Sequence, residues 1–398
     1  MESLPRPFFT AEHHAFRDQV RRFCDNEIAP HHAAWEQAHG VPREIWKKAG
    51  DNGLLCCWLP AEDGGPGADL LFDLVVCEEL GRIGATGPGF PLHSVIVTPY
   101  IAHHGTPSLK QRVLPGMVSG ERIGAIVMTE PGTGSDLAGI RTRAERDGDH
   151  WVINGQKVWT SLAHKARWGL LLARTDPDVV KQGGITAFLV RMDSPGIEIR
   201  PIRQMSGPAS FNEVFFDGVR IPDSMRIGDV NDGWKVAMAT LGFERSSSGS
   251  GHRRKGGTSA DLVELARALG VNEDPVVRQE LADVYVRTQL HAAVVAKVAR
   301  ANASGDKPGP AGSLGKLIAS DNLVRIGNAA ADMLGSALVA DTGEWGQFAW
   351  SDHVLGAPGY RLAGGTDEIQ RNIIAERVLG LPAEHRADKA PFSQLSKN

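Results

Sequence analysis

Residues 128–136 read MTEPGTGSD and continue from a short apolar run, 125–127, that predicts a β-strand. The segment combines a proline, two glycines and the hydroxyls of threonine and serine. A loop of this composition offers backbone N–H groups and hydroxyls, which suit a pyrophosphate or a flavin carbonyl in a protein without a Rossmann loop. A simple surface turn is the alternative interpretation of the segment taken alone.

A second segment, Trp159-Thr160-Ser161, favours the binding-loop interpretation. Asn154-Gly155 separates the runs 151–153 and 157–159, and this dipeptide predicts a two-residue hairpin turn because both central residues of that turn need positive φ. The second strand of the hairpin would end at Trp159–Ser161, which places a large aromatic ring beside two hydroxyl donors. Such an edge suits a planar isoalloxazine ring.

The wider pattern predicts an α+β fold in three domains. An N-terminal helical domain covers 1–120, where apolar residues recur at helical spacing. Short apolar runs between Gly, Pro and Asx-Gly breaks predict a middle antiparallel β domain over 121–235. Helical spacing returns over 236–398 and predicts a C-terminal helical bundle. Its last helix would begin after Thr366 as N-cap and stop at Gly380.

Charge and composition exclude several classes of protein. The 398 residues include 43 Lys and Arg against 47 Asp and Glu, which gives a formal net charge of -4. Nucleic-acid binders usually need a basic surplus, and the densest basic run here, 252–255, is short and lies among Gly and Ser. No apolar stretch approaches the roughly 20 residues that span a bilayer. We therefore expect a cytoplasmic protein with neither a nucleic-acid partner nor a membrane span.

Several common motifs are absent from the sequence. It contains no phosphate-binding P-loop, no GxGxxG after a strand, no GxSxG elbow and no HExxH. Its four cysteines lie within the first 77 residues without a CxxC pair, which argues against a disulfide framework and a structural zinc site. Adjacent histidines occur three times, but neighbours on a helix point about 100° apart and cannot both hold one ion. We therefore expect no metal site.

Two longer segments resemble one enzyme family. They read TEPGTGSDLAGIRTRAERDGDHWVINGQKVWTS at 129–161 and GGTDEIQRNIIAERVLGLP at 364–382. Together with the helical, β, helical order, they are similar to the acyl-CoA dehydrogenase family of FAD-dependent flavoproteins. The front half of the chain, including GPGFPLHS at 87–94, most resembles the long-chain branch of that family.

The resemblance implies an oxidoreductase of lipid metabolism that acts on CH–CH groups, as in fatty acid β-oxidation. Such an enzyme removes hydrogens from the α- and β-carbons of an acyl-CoA thioester and yields a trans-2-enoyl-CoA. Its electrons would pass to an electron-transfer flavoprotein. The resemblance also implies a homo-oligomer, either a dimer or a tetramer.

Individual site residues are implied by the same match. The positions that correspond to FAD contacts are Met128, Thr129, Gly134, Ser135, Trp159, Thr160, Ser161, Thr366 and Glu368. The positions on the substrate side are Ser135, Phe243, Arg245, Gly364 and Gly365.

The family reaction needs a carboxylate beside the substrate α-carbon. Many members supply it just before the last helix, in the sequence Tyr-Glu-Gly-Thr, whereas this chain reads Ala-Gly-Gly-Thr at 363–366. The long-chain and isovaleryl branches instead carry the base in a Glu-Arg pair early in the C-terminal domain, which matches Glu244-Arg245. The resemblance therefore implies Glu244 as the base, with Gly364 leaving room for its side chain. An exposed ion pair is the alternative interpretation of these two residues.

Two family segments are missing. Members usually carry Arg-x-x-Phe-Gly and Gln-x-x-Gly-Gly segments that reach a partner subunit's FAD, but 264–270 and 332–337 here lack those donors. This departure leaves open a hetero-oligomer in which the chain is a non-catalytic structural subunit. A flavin oxidase or monooxygenase on the same scaffold is a further alternative.

Overall fold

The computed structural model divides the chain into two compact units. One, the helical unit, comprises Met1–Ala33, Leu70–Gly87 and Glu244–Pro382, and the other, the sheet unit, comprises Ala34–Asp69, Pro88–Phe243 and Ala383–Asn398. The structure describes residues 8–38, 40–85, 87–207, 209–238, 257–303, 311–340, 347–384 and 388–395. The predicted division into domains at 120 and 235 stays a prediction.

Eight strands form one sheet in the described part of the sheet unit. They are β1 (Gly124–Val127), β2 (Arg143–Asp147), β3 (His150–Ser161), β4 (Trp168–Arg174), β5 (Ile185–Arg191), β6 (Ile197–Ile202), β7 (Phe211–Pro222) and β8 (Arg226–Ile227). The strand order is β6-β7-β3-β2-β4-β5-β8, and β1 pairs with β4. Every residue of β4 is buried, which explains its continuous apolar sequence.

The sheet corrects two details of the sequence prediction. It is not wholly antiparallel, because β1 and β2 both run parallel to β4. The hairpin predicted at Asn154-Gly155 is also wrong, because β3 continues through these residues and the tight turn lies at Gly148, between β2 and β3. A bulge occurs at Gly155 instead, where an added Cβ would lie 2.5 Å from the hydroxyl of Thr142. Glycine is needed there for close approach of the backbone and not for a reverse turn.

The described residues of both units also form α-helices. The sheet unit contains α3 (Arg43–Asp51), α5 (Thr98–His104) and α6 (Pro107–Val118), while α2 (His32–Gln37) lies at the boundary in the sequence. The helical unit contains α1 (Ala11–Phe23), α4 (Leu70–Arg82), α7 (Ser259–Ala268), α8 (Pro275–Ala303), α9 (Ala311–Leu334), α10 (Gln347–Gly356) and α11 (Asp367–Arg377). Leu262, Val284, Ile326 and Trp350 form part of its buried apolar core. The predicted α+β fold with flanking helical regions is confirmed.

The described residues contain neither a membrane-spanning helix nor a cluster of metal-ligating side chains. None of their helices has the length and apolar character needed to cross a membrane. Their His, Cys, Asp and Glu side chains also form no cluster of three that could hold a metal ion. All four cysteines are buried, and no disulfide joins them.

A buried histidine connects the end of α6 to the start of β1. The backbone N–H of Gly124 donates to Nδ1 of His93 at 3.1 Å, so the ring proton lies on Nε2, which donates to the Met117 carbonyl at 3.0 Å. Burial lowers the pKa of His93 from 6.5 to about 4, outweighing the opposing effect of the bond to Met117. The ring is therefore neutral and bridges two elements that lead into the 128–136 loop.

The stability of the sheet unit should depend on pH through His93. Since the folded pKa lies below the unfolded one, the contribution is complete above pH 6.5 and is lost as pH falls towards 4. We expect this loss to reach about 3 kcal/mol. The measurement is urea unfolding at several pH values for the wild type and for His93→Gln, which does not titrate. Equal pH slopes for the two proteins in this window would contradict the assignment.

Candidate active site

The loop that follows β1 is attached to β3 through the backbone. The N–H of Val158 donates to the carbonyl of Thr129 at 2.9 Å. Glu130 and Thr133 exchange backbone hydrogen bonds of 3.3 and 3.0 Å and close a tight turn. Gly134 and Ser135, which follow the turn, are exposed. A Cβ added to Gly134 would meet no atom within 4 Å, so a ligand has space to approach this backbone.

A buried ion pair fixes the same loop to β3. The ammonium of Lys157, on a fully buried side chain, donates to Glu130 Oε1 at 2.8 Å and to the Met128 carbonyl at 2.9 Å. Glu130 also accepts hydrogen bonds from the backbone N–H groups of Arg141 and Thr142, at 2.7 and 2.8 Å. Burial alone would raise the pKa of Glu130, but Lys157 and these donors outweigh burial and lower it. The carboxylate is thus charged and accepts hydrogen bonds at both of its oxygens.

Trp159 occupies an unusual backbone conformation at the end of β3. Its φ is +60°, in the left-handed region. This conformation costs a residue with a Cβ roughly 1–2 kcal/mol, because the Cβ comes too close to the backbone. The register between β3 and β7 shifts between Lys157 and Thr160, which shows that Trp159 lies in a bulge. The side chain is 55% exposed, and its ring is 5.9 Å from that of Phe211 in an edge-on arrangement. The fold therefore presents a large aromatic ring to solvent.

Two buried hydroxyls next to these features lack a hydrogen-bond partner among the described residues. They are Thr133 Oγ1 and Thr160 Oγ1. Asn212 Nδ2 donates a hydrogen bond of 2.9 Å to the carbonyl of Thr160. This bond fixes the backbone of the residue that carries the second hydroxyl. A buried hydroxyl without a partner costs about 1–3 kcal/mol, a penalty that a polar ligand atom removes. Orphaned hydroxyls, an exposed indole and an accessible glycine backbone together fit a flavin.

The helical unit contains the other predicted site segment. Gly364 and Gly365 both have positive φ, +66° and +85°, and Gln370 Nε2 donates to the Gly364 carbonyl at 2.7 Å. Thr366 is the N-cap of α11, as predicted, because its hydroxyl accepts the N–H of Ile369 at 3.2 Å. Two consecutive left-handed residues explain why glycine occupies both positions before this cap.

The two carboxylates at the start of α11 differ in environment. Asp367 is buried and accepts from Lys316 at 2.9 Å, from Ser320 at 2.9 Å and from Arg361 at 2.7 Å. Burial acts to raise the pKa of Asp367, but these three partners outweigh it and lower the pKa. Glu368 is exposed, and its Oε1 lies 3.6 Å from Nη1 of Arg371. Asp367 is therefore engaged in holding the helix start, and Glu368 stands on the surface.

Two of the predicted residues of the sheet unit contact the strand that carries three others. Met128 and Thr129 are bonded to the part of β3 that leads into Trp159–Ser161. Phe243, Glu244 and Arg245 lie outside the described residues. The sequence analysis assigns no role to Glu130 and Lys157, although both lie in the quoted segments. The pattern that could have indicated their ion pair is one acidic and one basic residue, each next to apolar strand positions.

Comparison with known proteins identifies the family. Models of the acyl-CoA dehydrogenase N-terminal, middle and C-terminal domains match residues 10–121, 125–219 and 231–379. The chain belongs to the acyl-CoA dehydrogenase family. It is accordingly an oxidoreductase acting on CH–CH groups, with FAD as its cofactor, as predicted.

Individual relatives support this assignment. Acyl-CoA dehydrogenase IpdE1 of Mycobacterium tuberculosis is 38% identical over 383 residues, which cover 93% of this chain and 98% of the relative. The mouse mitochondrial long-chain specific acyl-CoA dehydrogenase is 42% identical over 243 residues, 60% of this chain and 56% of the relative. Among solved structures, the Tcur3481-Tcur3483 steroid ACAD superposes with a TM-score of 0.84 at 30% identity, covering 94% of this chain and 99% of that one.

The buried ion pair of this acyl-CoA dehydrogenase gives a stability test. Lys157→Met should destabilise the protein by about 3–5 kcal/mol, because it leaves the carboxylate of Glu130 buried and unpaired. The double variant Glu130→Gln/Lys157→Met should lose less, since no charge then remains. Chemical denaturation measures both. The control is Lys47→Met, which removes an exposed pair with Asp51 and should cost under about 1 kcal/mol. Equal costs for Lys157→Met and Lys47→Met would contradict the account.

Proposed function

We propose that this chain is the catalytic subunit of an acyl-CoA dehydrogenase that converts an acyl-CoA to a trans-2-enoyl-CoA and passes the electrons to an electron-transfer flavoprotein. One observation carries the proposal. The Lys157–Glu130 pair joins the 128–136 loop to the strand that ends at Trp159–Ser161, and two buried hydroxyls beside this junction have no partner among the described residues.

The proposed FAD contacts combine both segments with the start of α11. They are Met128, Thr129, Gly134, Ser135, Trp159, Thr160 and Ser161, together with Thr366 and Glu368. FAD would supply the acceptor for the β-hydrogen of the substrate and its electron pair. Trp159 would contact the flavin ring, and the hydroxyls and backbone N–H groups would donate hydrogen bonds to its polar atoms.

Glu244 is the proposed base. Its carboxylate takes the α-proton while the β-carbon loses hydride, and the double bond forms between the two carbons. The carboxylates described near the start of α11 offer no substitute, because Asp367 is held by Lys316 and Arg361 and Glu368 pairs with Arg371 on the surface. Gly364 has no side chain and leaves room for a base supplied from elsewhere. Phe243 and Arg245, with Ser135 and Gly365, complete the proposed substrate side.

The proposed substrate is a bulky acyl-CoA. One similar structure is named as a steroid ACAD, and one relative is named for long-chain specificity. These two names support a large acyl group as the substrate of this chain. A screen of flavin bleaching with acyl-CoAs of increasing length and with a steroid-derived acyl-CoA separates the two possibilities.

Replacement of the base tests the proposed chemistry. Glu244→Gln keeps the size of the side chain but not its proton affinity, so acyl-CoA-dependent flavin reduction should fall by at least about 10²-fold. Glu198→Gln, at an exposed carboxylate paired with Arg200, is the matched control and should keep full activity. Flavin absorbance of each purified variant verifies that FAD is loaded. Retention of more than about a tenth of the rate in Glu244→Gln would contradict the assignment of this base.

A non-catalytic subunit of a hetero-oligomer is the second candidate. It is favoured by the lack of the family's cross-subunit FAD donors at 264–270 and 332–337. A colourless single chain that takes up no added FAD would support it, whereas a yellow homo-oligomer would support the catalytic role. Rapid reoxidation of the reduced protein in air, without another acceptor, would instead indicate an oxidase or monooxygenase.

A further inference from the structure

A short segment late in the sequence packs against the sheet unit close to the proposed flavin loop. We call residues 388–395 the strap. The backbone N–H of Phe392 donates to the Val179 carbonyl at 2.8 Å, and that of Ser393 donates to the Pro177 carbonyl at 2.8 Å. The strap is therefore held by its backbone along the connection between β4 and β5.

One buried lysine links the strap to the flavin loop. Lys181 Nζ donates to both carboxylate oxygens of Asp136 at 2.8 Å and also pairs with Asp388 of the strap. The Lys181 side chain is only 7% exposed. Burial alone would lower the pKa of Lys181, but the two carboxylates outweigh it and raise the pKa. Asp136 directly follows Ser135, so this charge cluster fixes the end of the segment proposed to bind the cofactor.

A buried arginine makes a second link. Arg174 donates to the carbonyl of Ala138, just beyond the loop, at 2.5 Å and to the carbonyl of Lys181 at 2.6 Å. Its guanidinium carbon lies 3.9 Å from the centre of the Phe392 ring, within cation–π distance. Burial lowers the pKa of Arg174 to about 10, which leaves it charged at neutral pH. Phe392 thus covers the cation that holds the far side of the loop.

We propose that the strap positions the flavin loop through Asp388 and Phe392, and so increases the affinity of the protein for FAD. The inference rests on the proposed function, because it takes the 128–136 loop as a cofactor contact. Lys181 and Arg174 are then positioning residues: each holds loop atoms on one side and the strap on the other. Without the strap, Lys181 would have a single carboxylate partner among those named, and Arg174 would lose its aromatic cover.

The test measures FAD affinity of the full-length apoprotein by titration, with thermal stability of the apoprotein as a second readout. Asp388→Asn and Phe392→Leu should each weaken FAD binding about five- to tenfold, because charge-assisted and cation–π contacts to the loop anchors are lost. Ser393→Ala is the control, since its backbone hydrogen bond to Pro177 is retained, and it should bind FAD like the wild type.

A double-mutant cycle separates positioning from general stabilisation. In a Lys181→Met background, Asp388→Asn should have no further effect on FAD affinity, because the shared ammonium is gone. If Lys181→Met does not fold, Asp136→Asn takes its place in the cycle, and the effects of Asp136→Asn and Asp388→Asn should be non-additive.

Two results would overturn the inference. One is FAD affinity within about twofold of wild type for both strap variants, even with a lowered melting temperature, since that outcome describes a purely structural segment. The other is full additivity in the cycle. A wild-type chain that binds no FAD would contradict the proposed function. A wild-type chain that binds FAD, with strap variants that bind it equally well, would contradict only the inference about the strap. The two failures can therefore be told apart.

Discussion

The ammonium of Lys157 is the interaction on which the proposed site depends. It is completely buried and reaches both the Glu130 carboxylate and the Met128 carbonyl from the middle of β3. A buried charge is tolerated only when it is paired and hydrogen-bonded, so this geometry allows one arrangement of loop and strand. The loop after β1 and the end of β3 are thereby held together without help from a ligand.

The site combines this rigidity with local destabilisation. Trp159 adopts a left-handed backbone conformation, and the hydroxyls of Thr133 and Thr160 are buried without described partners. Such features persist where surrounding structure overrides them, and they concentrate at functional sites. In this chain they surround the junction that Lys157 and Glu130 stabilise. The protein therefore keeps two hydroxyls without a described partner and an exposed aromatic ring beside this junction. In our proposal the flavin binds there and hydrogen-bonds with the hydroxyls.

The sequence could predict the parts of the fold that depend on local pattern. Long amphipathic helices, the N-cap at Thr366 and the loop at 128–136 follow from spacing and composition over a few residues. The prediction of a turn at Asn154-Gly155 was wrong because the long pairing of β3 with β7 outweighs the turn preference of these two residues. Parallel pairing of β1 with β4 depends on contacts distant in sequence, which periodicity does not encode.

The electrostatic anchors of the site were beyond sequence reasoning for a related reason. A lysine in a strand is usually exposed, and only the tertiary structure shows that Lys157 is buried against Glu130. The same holds for Lys181, whose partners Asp136 and Asp388 are 45 and more than 200 residues away in the chain. Family resemblance implies the roles that we propose for the flavin-side residues, while the folded chain supplies the reason those residues stay in place.

Hydrogen–deuterium exchange of the FAD-free protein tests most directly whether the loop is fixed before the cofactor binds. The amides of Val158 and Thr142, bonded to Thr129 and Glu130, should exchange as slowly as those of the buried strand β4, and added FAD should slow exchange mainly at Gly134 and Ser135. Fast exchange at Val158 and Thr142 until FAD is added would contradict a preformed site.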